Sequence, residues 1–77
     1  MKLIKGKDLV VGEIYRNTDE KGLFVTYLEF VKYDEEGGKW FKYIAGVKIY
    51  YTASDGLIGF QDKDDYYKPT PEELASL

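Results

Sequence analysis

The chain has 77 residues and a net charge of −3, with eight Tyr, four Phe and one Trp but no His and no Cys. A chain this short is a single domain, and neither a disulfide nor a Cys/His zinc staple supports its small core. The same absences remove imidazole, the commonest general base near neutral pH, and thiolate, the readiest nucleophile, so the composition favours binding over catalysis.

Residues 2–12 read as a lead-in, with Leu9 and Val11 anchoring a turn and Gly12 letting the chain change direction. A first strand is predicted over residues 13–16 with Ile14 inward, then a polar loop over 17–22. The strongest strand covers residues 23–33, rich in β-branched and aromatic side chains and free of Pro and Gly. Phe24, Leu28 and Phe30 make its core face. Val25, Tyr27 and Val31 are too apolar for a plain solvent face, which predicts two-sided cover or a bulge near Phe30-Val31. Asp34-Glu35-Glu36-Gly37-Gly38 is a hairpin turn into a strand over residues 39–45, where Trp40 and Ile44 share one face and Phe41 and Tyr43 the other.

Gly46 breaks that run, and residues 47–52 alternate as a further strand. Asp55-Gly56 signals a turn into a short strand over 57–61, where Gly59 marks a bend or a close approach. Residues 62–65 form a charged loop, and Tyr66-Tyr67-Lys68 an edge strand stopped by Pro69. In the tail, Thr70 is the predicted N-cap, Pro71 the first helical residue and Glu73 the partner in a capping box, with Leu74 and Leu77 docking the helix on the sheet. The expected core is Ile14, Phe24, Leu28, Phe30, Trp40, Ile44, Val47, Ile49 and Phe60.

The fold class is therefore mainly β: residues 1–77 form one small antiparallel domain of five or six strands, with 69–77 as a helical tail. An SH3-like barrel is the first expectation and a curled, open meander the second. Met1-Lys2-Leu3-Ile4-Lys5 leads into Gly6, Lys7 and Asp8 with no apolar stretch, and no apolar run approaches the roughly 20 residues of a membrane span. A cytoplasmic protein is expected, with no membrane partner. The acidic balance disfavours duplex nucleic acid, although residues 1–50, with nine basic and eight acidic side chains, leave room for a local basic face.

Three groupings bear on chemistry. Asp62, Asp64 and Asp65 offer hard oxygen ligands, but the Gly of a calcium loop is missing and Pro69 and Pro71 interrupt the spacing, so a solvated loop is the reading. Asp34, Glu35 and Glu36 are read the same way. Glu13 and Glu29 sit on strands without any sign that they meet, and Ser54 has no His to activate it. No catalytic residue, metal site or cofactor is assigned. The third grouping is positive: aromatics and lysines interleave over neighbouring strands, and Tyr33, Lys42, Tyr43, Lys48 and Tyr50 are expected to form one exposed binding face. Arg16, the only arginine, is the candidate for a ligand phosphate.

The stretch Asp8-Leu9-Val10-Val11-Gly12-Glu13-Ile14-Tyr15-Arg16, then Thr26-Tyr27-Leu28-Glu29-Phe30-Val31, resembles small accessory proteins of tailed bacteriophages, as does the closing Tyr66-Tyr67-Lys68-Pro69-Thr70-Pro71-Glu72-Glu73-Leu74. The resemblance implies a phage source and a small barrel, and carries no functional residues over. Three readings follow. The first is a non-enzymatic module that binds a host or phage protein, as a modulator or an assembly component. The second is a homo-oligomer sequestering a nucleotide between aromatic rings and Lys or Arg. The third is a metal-dependent carboxylate enzyme built on Asp62, Asp64 and Asp65.

Overall fold

A computed structural model describes residues 2–48 and 50–77. The chain is mainly β: β1 (Lys2–Lys5), β2 (Ile14–Thr18), β3 (Val25–Tyr33), β4 (Lys39–Gly46), β5 (Ile58–Phe60) and β6 (Asp65–Lys68), then a helix α1 (Pro71–Ala75). The strands form one antiparallel sheet in the order β1-β6-β2-β3-β4-β5, with β1 and β5 as its edges. The sheet is strongly curled but not closed. Phe41 on β4 and Tyr66 on β6 stack at 5.3 Å although three strand steps separate them. In a flat sheet those steps would span about 14 Å, so the two ends fold toward each other.

The concave face holds the core: Leu9, Tyr15, Leu28, Phe30, Phe41, Ile58 and Tyr66, with Ile4, Tyr43, Tyr50 and Phe60 packed against it. Its rings meet mainly edge to face, Phe30 against Phe41 at 5.3 Å and Phe41 against Phe60 at 5.7 Å, the arrangement favoured by aromatic quadrupoles. Buried Tyr hydroxyls are satisfied by loop backbone: Tyr15 accepts from the Val10 N–H at 2.8 Å, and Tyr66 donates to the Lys63 carbonyl at 3.2 Å.

Two bulges set the phase of the central hairpin. Phe30 and Lys32 pair with Phe41 and Trp40, leaving Val31 as the extra residue, as the sequence suggested. On β4, Tyr27 and Leu28 pair with Ala45 and Tyr43, leaving Ile44 extra. Gly46 ends β4 at φ +93°, and a Cβ there would run into the Val25 carbonyl, so both the conformation and the space require glycine. Gly59 serves a different need. A Cβ at that position would lie 2.8 Å from the Trp40 ring, which rests over the bare backbone of β5.

Several expectations are corrected. Leu28 and Phe30 are core, but Phe24 is 47% exposed because β3 begins after it, at Val25. On β4 the buried residue is Phe41, while Trp40 and Ile44 are half-buried on the phase set by the bulges. Tyr15 and Asn17, not Ile14, are the buried residues of β2, and Val11 and Val47 are exposed. Residues 47, 48 and 50–52 do not belong to a strand; Ile49, expected in that strand and in the core, lies outside the described residues. β6 is no edge: it pairs with β1 along its length and meets β2 at Arg16–Tyr67. The lead-in contains a strand, because β1 has β6 to pair with.

The helix starts as its sequence dictates. Thr70 caps it, the Glu73 carboxylate returns to the Thr70 N–H, and Pro71 sits at the entry. Its docking differs from expectation, since Leu74 and Leu77 remain 40% and 44% exposed. Among the described residues, no helix is long and apolar enough to cross a membrane.

Candidate functional site

Of the five residues expected to share a face, the fold brings three together. Tyr43 lies on the concave side of β4 opposite Leu28, and the segment beyond Gly46 carries Lys48 and Tyr50 back over it. The Val47 N–H donates to the Val25 carbonyl at 2.9 Å, and the Thr26 hydroxyl donates to the Val47 carbonyl, which ties this segment to the start of β3. Together Thr26, Tyr43, Lys48, Tyr50, Thr52 and Ile58 line a cavity of about 330 Å³. That is at the small end of ligand sites and suits one inserted side chain or ring.

The cavity is aromatic with one cation at its rim. The Lys48 ammonium sits 4.8 Å from the Tyr43 ring centroid, within cation–π range. The Tyr50 ring is set edge-on against Phe60 at 4.9 Å, so it is supported from behind. Burial, and then the Asp19 carboxylate, push the Tyr50 hydroxyl above its ordinary range, so it stays a neutral donor.

A second cavity, of about 360 Å³, lies beside the first, and its lining includes Trp40, Tyr51, Thr52, Gly59 and Phe60. Thr52 lines both, while Tyr50 faces one and Tyr51 the other. Tyr51 is 98% exposed. Trp40 is held in place by its indole N–H, which donates to Asp34 at 3.0 Å. Asp34 also accepts from the Glu36 and Gly38 N–H groups, and these bonds, with Trp40 foremost, hold its carboxyl below the usual range. It organises a turn and is more than a solvated charge.

The other predicted residues lie elsewhere. Tyr33 is five positions beyond Leu28 on β3, about 17 Å along the strand. Its hydroxyl donates to the Gly6 carbonyl at 2.6 Å and accepts from the Leu9 N–H at 3.0 Å, so it clamps the lead-in. Lys42 is on the convex face, opposite Glu29. Arg16 is also on the convex face, between buried Tyr15 and Asn17, and pairs with Glu73. The acidic loop is likewise tied into structure: Asp64 accepts from the Gly6 N–H at 3.0 Å, and Lys5 pairs with Asp65 at 2.8 Å.

Sequence reasoning missed that Tyr51 and Trp40 line one cavity. Gly59 was the available signal, because a glycine on a strand flanked by aromatics leaves room for a ring to lie across it. Asn17 was missed as well. Assigned to a loop, it lies on the concave face of β2 opposite Thr26, is 1% exposed, and neither its amide nitrogen nor its oxygen has a partner among the described residues. Compared with protein-family models, with curated proteins and with solved structures, the chain matches none.

Proposed function

We propose that the protein is a non-enzymatic binding module that engages a protein partner through the two cavities flanking residues 50–52. One observation carries the reading: consecutive tyrosines face two aromatic cavities, with Tyr51 fully presented to solvent and Trp40 and Tyr43 held rigidly behind. Rigid aromatic anchors beside pockets are the usual make-up of interaction hot spots. On this reading the curled sheet is an SH3-like scaffold. The protein acts in the host-cell cytoplasm as a phage-encoded modulator of a host protein, or as an assembly component.

Nucleotide sequestration is the second reading, favoured by the Lys48 cation over the Tyr43 ring. On it the phosphate contact falls to Lys48, since Arg16 belongs to the opposite face.

Affinity capture from a host lysate tests the first reading. Tyr51→Ala and Lys48→Ala alter exposed side chains and are expected to keep the melting temperature. Tyr51→Ala should lose the captured partner, a hot-spot Tyr contributing about 2 kcal/mol or more. Capture unaffected by both variants sinks the protein reading. A thermal-shift screen of mono- and cyclic nucleotides tests the second, because ligand at 100 times Kd adds roughly 2.7 kcal/mol. No shift across the panel removes it.

A further inference from the structure

The convex face carries a second site, independent of the cavities on the concave side. Arg16 lies in the middle of β2, directly opposite Tyr27 on β3 and Tyr67 on β6, so two tyrosines flank one guanidinium. A carboxylate already rests there. Glu73 Oε2 accepts the Tyr27 hydroxyl at 2.6 Å and lies 3.5 Å from Arg16 Nε, while Oε1 accepts the Thr70 N–H at 3.2 Å. The Arg16 and Glu73 side chains are 26% and 24% accessible, so the pair is partly shielded from water.

This carboxylate is a polar tie between the helix and the sheet. No residue of α1 is fully buried, and Leu74 within it and Leu77 beyond it are only partly covered. Apolar anchoring of the tail comes mainly from buried Pro69 just before the cap, and the helix itself adds the Glu73 carboxylate as its charged contact with the sheet. A contact made by one polar group at the end of a short helix is one that a competitor of the same chemistry can replace.

We infer that Arg16 and Tyr27 form a carboxylate receptor which the chain's own Glu73 fills, and that an acidic segment of a partner protein takes the same place when the tail lifts. The donor set fits a carboxylate better than a phosphate. It offers one guanidinium and one neutral hydroxyl, and the group that already sits between them is a carboxylate. Lys68, next along β6 from Tyr67, alternates to the other side of the sheet and pairs with Glu13 at 3.7 Å.

The test uses the full chain carrying Glu73→Gln, which keeps a side chain able to cap the helix but removes the charge. The probe is a synthetic peptide of residues 69–77 with its Glu73 intact, titrated at millimolar concentration and followed by the NMR signals of the Arg16 Nε–H and the Tyr27 ring. The expected result is saturable shifts in Glu73→Gln and at least about tenfold weaker binding to the unaltered chain, whose own tail competes at an effective millimolar concentration. A peptide with Gln at both acidic positions and an amidated C-terminus should be inert, and so should the Arg16→Gln/Glu73→Gln protein. Ring signals of Phe41 and Tyr66 report that the core is intact. If Glu73→Gln disturbs them, Glu73→Asp, which draws the carboxylate back by one methylene, serves instead. No shift in the charge-altered chain, or equal shifts with both peptides, overturns the inference.

Discussion

Replacing Asn17 with Val should stabilise the protein. The side chain is 1% exposed, and neither polar atom has a hydrogen-bond partner among the described residues. A buried polar group left unmade costs about 1–3 kcal/mol, whereas an apolar group of similar shape costs nothing of the kind. Valine is near asparagine in volume and suits a strand, so overpacking is small. A gain of about 1–3 kcal/mol is expected. In a domain of this size each kcal/mol raises Tm by roughly 4–8 °C. Urea melts of the two proteins should show a higher midpoint for Asn17→Val at an unchanged slope, the pattern of a pure stability change. A loss of about 1 kcal/mol or more would refute the reasoning. It would mean that the amide has partners in solution, such as an enclosed water, and that those bonds hold β2 against β3.

Phe41→Ala should cost roughly 3–5 kcal/mol and largely unfold the chain, while Trp40→Ala should cost clearly less; equal losses in chemical denaturation would contradict the strand phase described. Tyr33→Phe leaves the Gly6 carbonyl and Leu9 N–H without their partner. A loss of about 1–3 kcal/mol is expected with no change at the cavities, and a neutral variant with impaired binding would restore Tyr33 to the recognition face. Asp34 has a carboxyl held below its ordinary 3.8 by Trp40 and the turn N–H groups. A depressed native pKa gives stability that is present above the unfolded value and lost as pH falls through the native one. Melting temperature should therefore drop below about pH 4, with Trp40 fluorescence changing alongside, and Asp34→Asn should flatten that dependence.

How much the sequence disclosed varies with the physics involved. The capping box at Thr70, Pro71 and Glu73 was legible because caps are local. So was the bulge at Val31, since an apolar run on both phases of a strand demands a shift. The second bulge, at Ile44, left no such trace, and it moved burial from Trp40 to Phe41. The tyrosines misled for a related reason. Tyr33 was expected on an exposed binding face, yet Tyr15, Tyr33 and Tyr66 satisfy their hydroxyls on turn backbone that lies close only after folding. Tyr43 and Tyr50 did come together with Lys48, because neighbouring segments of one sheet end share a face. Tyr33 and Lys42 did not, because strand position and alternation each separate residues that are near in sequence.

The place of β6 between β1 and β2 governs how the chain can reach this structure. Among the described residues β1 pairs only with β6, and Lys5 meets Asp65 across 60 positions of sequence. The hairpin of β3 and β4 can form as soon as it is made. The first strand must instead wait, unpaired, until the last is synthesised, and closing so long a loop is slow. On the ribosome β1 thus stays unpaired until β6 emerges, a period in which unpaired strands invite the wrong partner. Lys2 and Lys5, spaced along that strand, are the kind of charge that discourages such pairing until Asp65 arrives to receive one of them.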